Sequence, residues 1–142
     1  MPPAFENPLL FGTNPEVGIV AVEFDGAAEA IVFSRLPDGS TVSRREHFSP
    51  MLWSSVPLLN SIDLGGRQKL RFLTRFPDWS AFQSQRSALK SADFEWFAIN
   101  DPVQQFLTIT GRTLFKGMEF SEVRRMQVDI ETACEDGYSF ST

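Results

Sequence analysis

The sequence predicts an α+β fold, a small mixed domain with an antiparallel sheet and two helices. Three observations predict it. Short apolar runs in the first third of the chain are separated by acidic-glycine turns, the pattern of a β-meander. Two later segments open on helix-start signals and continue at helical spacing. The 142 residues, 42% of them hydrophobic, suffice for one core and are too few for two ordinary domains.

Residues 1–18 read as an irregular leader, because four prolines (Pro2, Pro3, Pro8 and Pro15) interrupt any periodicity. The apolar run Pro8 to Phe11 lacks a basic flank and a small-residue cleavage site, so it does not read as a signal peptide. A mixed domain is expected over residues 19–120. Ile19 to Phe24 and Ala30 to Arg35 read as a hairpin about the turn Asp25-Gly26-Ala27-Ala28. Leu36-Pro37-Asp38-Gly39 then turns into a third strand near Ser40 to Phe48.

Gln68 to Phe76 alternates in part, with Leu70, Phe72 and Phe76 on one face and Lys69, Arg71 and Arg75 on the other; Leu73 breaks the pattern. Asp78 is a capping candidate for a helix to about Lys90, with Trp79, Phe82, Arg86 and Leu89 sharing a face. Phe94 to Ile99 returns to extended chain. Asn100-Asp101-Pro102 starts a second helix that Gly111 ends. Thr113 to Phe120 reads as a strand or hairpin arm containing Gly117.

Composition excludes several functions. No segment approaches the roughly 18 consecutive apolar residues of a membrane span, so a soluble protein is expected. Cys134 is alone and cannot form an internal disulfide, which fits a reducing cytoplasm. One His and one Cys do not supply the four ligands of structural zinc, leaving carboxylate-held hard cations as the metal option. His47 and Cys134 receive no catalytic role. The 14 phenylalanines and three tryptophans are read as core, with one or two left for base stacking.

A net charge of -5 gives no overall attraction for a polyanion, so any nucleic-acid contact has to be local. Arg67, Lys69, Arg71 and Arg75 lie in a stretch without acids and are the candidate nucleic-acid-binding residues; the bland alternative is a solvated strand face.

The sharpest chemistry lies in Met126-Gln127-Val128-Asp129-Ile130-Glu131. A period of two puts Met126, Val128 and Ile130 on one face and Asp129 and Glu131 together on the other, their Cα atoms roughly 6.5 to 7 Å apart. Two such carboxylates can reach one divalent cation, although an acidic solvent face has the same spacing.

Asp129-Ile130-Glu131-Thr132 at the end of an apolar strand resembles the first 3′-5′ exonuclease motif of family B DNA polymerases. The chain before it keeps a similar order: Ile31-Val32-Phe33-Ser34-Arg35, the turn Asp38-Gly39, Phe48-Ser49-Pro50-Met51-Leu52-Trp53, Phe94-Glu95-Trp96, and Asp101-Pro102-Val103-Gln104-Gln105-Phe106-Leu107. The resemblance implies an N-terminal polymerase domain followed, over residues 121–142, by the first strand or hairpin of an RNase H-like exonuclease. It further implies that Asp129 and Glu131 are catalytic ligands of Mg²⁺ or Mn²⁺ in a full-length parent whose partner is DNA. The isolated chain is expected to be inactive, because the later acidic motifs of the family lie beyond Thr142. Archaeal members read template uracil with this domain; Met51 after Pro50, where an aromatic is usual, and Gln104 and Gln105 in place of basic residues argue against that role here. The alternative to an enzyme fragment is a stand-alone nucleic-acid-binding or protein-interaction module.

Overall fold

A computed structural model describes residues 12–124 and 126–128. Its order is three strands, a further three strands, a helix, a strand and a second helix. Strands β1 (Ile19–Phe24), β2 (Glu29–Arg35) and β3 (Thr41–His47) form an antiparallel meander with β2 at the centre. Each turn is set locally. The Asp25 carboxylate accepts from the N–H groups of Ala27, Ala28 and Glu29 at 2.8, 3.1 and 3.0 Å. Asp38 accepts from the Ser40 N–H at 2.8 Å beside Gly39, whose φ of 84° a side chain would strain.

Four more strands build a second antiparallel sheet: β4 (Met51–Ser54), β5 (Ile62–Asp63), β6 (Phe72–Arg75) and β7 (Trp96–Phe97), in the order β5-β6-β4-β7. Helix α1 (Trp79–Ala88) starts at Asp78, whose side chain accepts from the Ala81 N–H at 2.8 Å, and runs into a single 3₁₀ turn at Leu89–Ser91. Helix α2 (Pro102–Thr110) has Asp101 as its cap and ends where Gly111 takes a φ of 66°. Among the described residues, no helix is long and apolar enough to cross a membrane.

Two apolar clusters hold these parts together. Ile19, Ala30, Val32, Phe48 and Phe106 pack the meander onto α2. Leu52, Phe82 and Leu89 pack the inner face of the second sheet onto α1. Trp79 touches both, meeting Phe24 edge to face on one side and lying tilted against Phe82 on the other. Burial of these side chains is the main stabilising term, each fully buried large residue contributing roughly 1.5–3 kcal/mol before the entropy of ordering is subtracted.

The α+β class, the meander and both helices agree with the reading from sequence. Several details differ. The described residues form two sheets, and β4, read from sequence only as a family-like Pro50 segment, is a central strand of the second. The expected strand over Gln68 to Phe76 is confined to Phe72–Arg75. Gly65 and Gly66 both hold positive φ, and the Gln68 amide donates to the Gly65 carbonyl at 2.7 Å, so the chain curls before it can pair. Leu73 does break the alternation, since it shares the face of Arg71 and Arg75 and is nevertheless buried. Thr113 to Phe120 is not a strand. Phe115 at φ 61° and Gly117 at φ 73° bend it into turns, followed by a 3₁₀ turn at Phe120–Glu122. Residues 126–128 are in no strand, and Met126 and Val128 are exposed where a half-buried strand was expected. The remainder of that expected strand, including Asp129, Ile130 and Glu131, lies outside the described residues.

Candidate nucleic-acid interface

The four basic candidates do not act as one stripe. Lys69 donates to Glu95 at 2.8 Å, and this hydrogen bond raises the pKa of its ammonium. Arg71 forms a two-pronged pair with Asp63, its Nε donating at 3.1 Å, and also lies over the Phe72 ring, 5.1 Å from its centroid. The Arg71 hydrogen bond, joined by the Gly65 N–H, holds the Asp63 carboxyl below the ordinary aspartate range. Neither Arg67 nor Arg75 has an ion-pair partner among the described residues, and both are exposed. Two of the four cations are therefore available for phosphate without first leaving an acid.

Arg75 stands where β6 meets the other half of the molecule. It borders a groove of about 190 Å³ together with His47, Ser49, Phe106, Ile109 and Thr110. His47 Nε2 and Ser49 Oγ lie 3.3 Å apart at this groove, which places His47 on the surface as the sequence reading had it. A second cavity, about 310 Å³, lies between α1 and the turn at residues 58–60. Thr74 borders it, and its buried hydroxyl has no hydrogen-bond partner among the described residues.

A separate charged cluster is structural. Glu16 and Glu46 each contact both Arg44 and Arg112, at 2.5 to 2.9 Å, tying the leader, β3 and the end of α2 together. Burial by itself pushes the Glu46 carboxyl up, but hydrogen bonds from Arg112 and Arg44 outweigh it and hold the group below the ordinary glutamate range. Arg112 Nε is 2.9 Å from Glu16 Oε2 without the alignment of a hydrogen bond, so that contact is electrostatic.

Sequence reasoning missed the aromatic part of this surface. Trp53 on β4 and Phe97 on β7 are register partners on the face of the second sheet turned away from α1, their ring centroids 6.1 Å apart. The period-two alternation of β4 carried this information, since Leu52 and Trp53 have to point to opposite sides. What was missing was the knowledge that Leu52 faces the core.

Among the described residues, no group of three or more His, Cys, Asp or Glu could hold a metal ion. Asp129 and Glu131 stand outside those residues, so the carboxylate pair rests on its sequence pattern. Comparison of the chain with family models, curated proteins and solved structures finds no match.

Proposed function

We propose that this chain is the N-terminal region of a cytoplasmic family B DNA polymerase or a related 3′-5′ exonuclease, serving DNA replication or repair. In this reading it contributes to DNA template binding and carries the first metal-binding motif of an RNase H-like exonuclease. The observation that carries the reading is the order of elements leading to Asp129-Ile130-Glu131-Thr132. A hairpin, a Pro50-led strand, an acidic-aromatic strand at Trp96–Phe97 and a helix capped at Asp101 and closed at Gly111 precede it.

Asp129 and Glu131 would bind Mg²⁺ or Mn²⁺ through their carboxylates, a donor set suited to hard cations. When bound, such a metal pair activates water and stabilises the leaving oxygen in phosphodiester hydrolysis. Two acids alone hold Mg²⁺ weakly, so the 142-residue chain is expected to bind it no better than at millimolar concentration and to show no nuclease activity. The test uses a full-length parent that both synthesises and degrades DNA. Asp129→Ala combined with Glu131→Ala is expected to abolish degradation of single-stranded DNA and to leave synthesis intact. Degradation at the wild-type rate in the double variant refutes the assignment.

A second reading, a stand-alone nucleic-acid-binding module, draws support from the exposed Arg67 and Arg75. A longer reading frame carrying further acidic motifs favours the first, and a reading frame without them favours the second.

A further inference from the structure

The register of the second sheet aligns Ile62, Leu73, Trp53 and Phe97 in one row across all four strands, β5, β6, β4 and β7. Side chains in direct register share a face, so this row projects from the side opposite α1. None of the four belongs to either core cluster. Ile62 and Phe97 are each 52% exposed and Trp53 is half-buried, while Leu73 is shielded between its neighbours. A row whose two ends, Ile62 and Phe97, stay open to solvent beside a half-buried Trp53 is not what core packing alone produces.

Among the described residues, one cation on this face is free to meet a phosphate, beside the Lys69–Glu95 and Arg71–Asp63 pairs, each of which is neutral within itself. Arg75 follows Leu73 by two residues and so shares its face, in register with Met51 and diagonal to Trp53, roughly 7–8 Å away at that spacing. It is exposed and has no ion-pair partner among the described residues. Arg71, two residues before Leu73, is held by Asp63 and adds no free cation, so Arg75 is the one that can meet a phosphate beside the row. Ile62 and Phe97 stand at the two ends of the row and are both exposed, so the face is open at each side.

We infer that this outer face binds a single-stranded nucleic acid, with unpaired bases stacking on Trp53 and Phe97 and the phosphate chain following Arg75. Duplex DNA fits poorly, because its bases are already stacked on one another and offer no ring face to the protein. The inference deepens the nucleic-acid part of the proposed function and rests on it. It adds which state of the strand is bound and which residues read it. Stacking is tolerant of sequence, since every base presents a π-face.

The experiment titrates the 142-residue chain at low salt with oligothymidylate and with an abasic oligomer of the same length and charge. Tryptophan emission and fluorescence anisotropy of a labelled oligomer are both followed. Trp79 and Trp96 pack with the core clusters, so quenching is expected to come from Trp53. Oligothymidylate is expected to bind roughly 5- to 150-fold more tightly than the abasic oligomer, the range that stacking of one base supplies. Trp53→Leu and Phe97→Leu are each expected to remove most of that preference, whereas Ile62→Ala, on the same face but not aromatic, is expected to keep it. The comparison of the two oligomers on the unaltered protein does not depend on any variant folding. Equal affinity for both oligomers overturns the stacking face and leaves a purely charge-based contact. Absence of saturable binding to either oligomer also overturns it, as does a concentration-dependent dimer in sedimentation that Trp53→Leu dissolves. None of these outcomes decides the polymerase reading, which the double variant at Asp129 and Glu131 tests in the full-length parent.

Discussion

The side-chain amide of Gln105, fully buried in α2, accepts a hydrogen bond from the backbone N–H of Met51 at 2.8 Å across 54 positions of chain. Its amide nitrogen donates to the Ile99 carbonyl at 3.0 Å. One side chain thus satisfies the first residue of β4 and the segment leading into α2. Gln105→Leu fills similar space but orphans both backbone groups, each costing about 1–3 kcal/mol. Urea unfolding is expected to report a loss of about 2–4 kcal/mol. A loss under about 0.5 kcal/mol would show that the backbone finds other partners.

Glu46 makes stability depend on pH in a definite direction. Its folded pKa lies below the ordinary 4.5, so the unfolded chain binds its proton first as pH falls. The stabilisation is therefore fully present above about 4.5 and is lost as pH drops through the lower folded value. Glu46→Gln is expected to flatten this part of the acid limb and to cost about 1–3 kcal/mol at pH 7, because Arg112 loses a half-buried partner. Urea midpoints at pH 7 and at pH 4, compared between the two proteins, measure both effects.

The two ends of α2 predict unequal losses. Asp101→Ala removes the acceptor for the Gln104 N–H and is expected to cost about 1 kcal/mol. Gly111→Ala meets two obstacles. The φ of 66° disfavours a side chain, and a Cβ there would lie 2.9 Å from Thr13 Oγ1. Gly111→Ala is expected to cost more than Asp101→Ala, by thermal unfolding at neutral pH. The reverse order would mean that the leader yields easily at Thr13.

The pairing of the basic residues predicts that removing an acid strengthens DNA binding. Glu95→Gln releases Lys69 and Asp63→Asn releases Arg71, and each is expected to tighten binding of single-stranded DNA at low salt. Arg67→Ala is expected to weaken it and to lower the salt slope by about one. The isolated chain, with its net charge of -5, is expected to bind no tighter than about 1 µM. Filter binding across a salt series checks all four statements, and submicromolar association of the unaltered chain would contradict the last.

The features legible in the sequence are those that neighbouring residues decide. The turns at Asp25-Gly26 and Asp38-Gly39, the caps at Asp78 and Asp101 and the stop at Gly111 each rest on hydrogen bonds or backbone angles within about four residues. The Asp129 and Glu131 pair is legible in the same way, as a period-two pattern, and its spatial setting lies outside the described residues. What only the tertiary structure decided is the partition into two sheets, the place of β4 at the centre of one, and the side on which Trp53 emerges. It also decided that Lys69 meets Glu95, 26 residues on, leaving Arg75 as the cation beside the aromatic row. Local pattern states that two faces of a strand differ; which of them is buried depends on the element that packs against it, and for β4 that element is α1, more than twenty residues away in the chain.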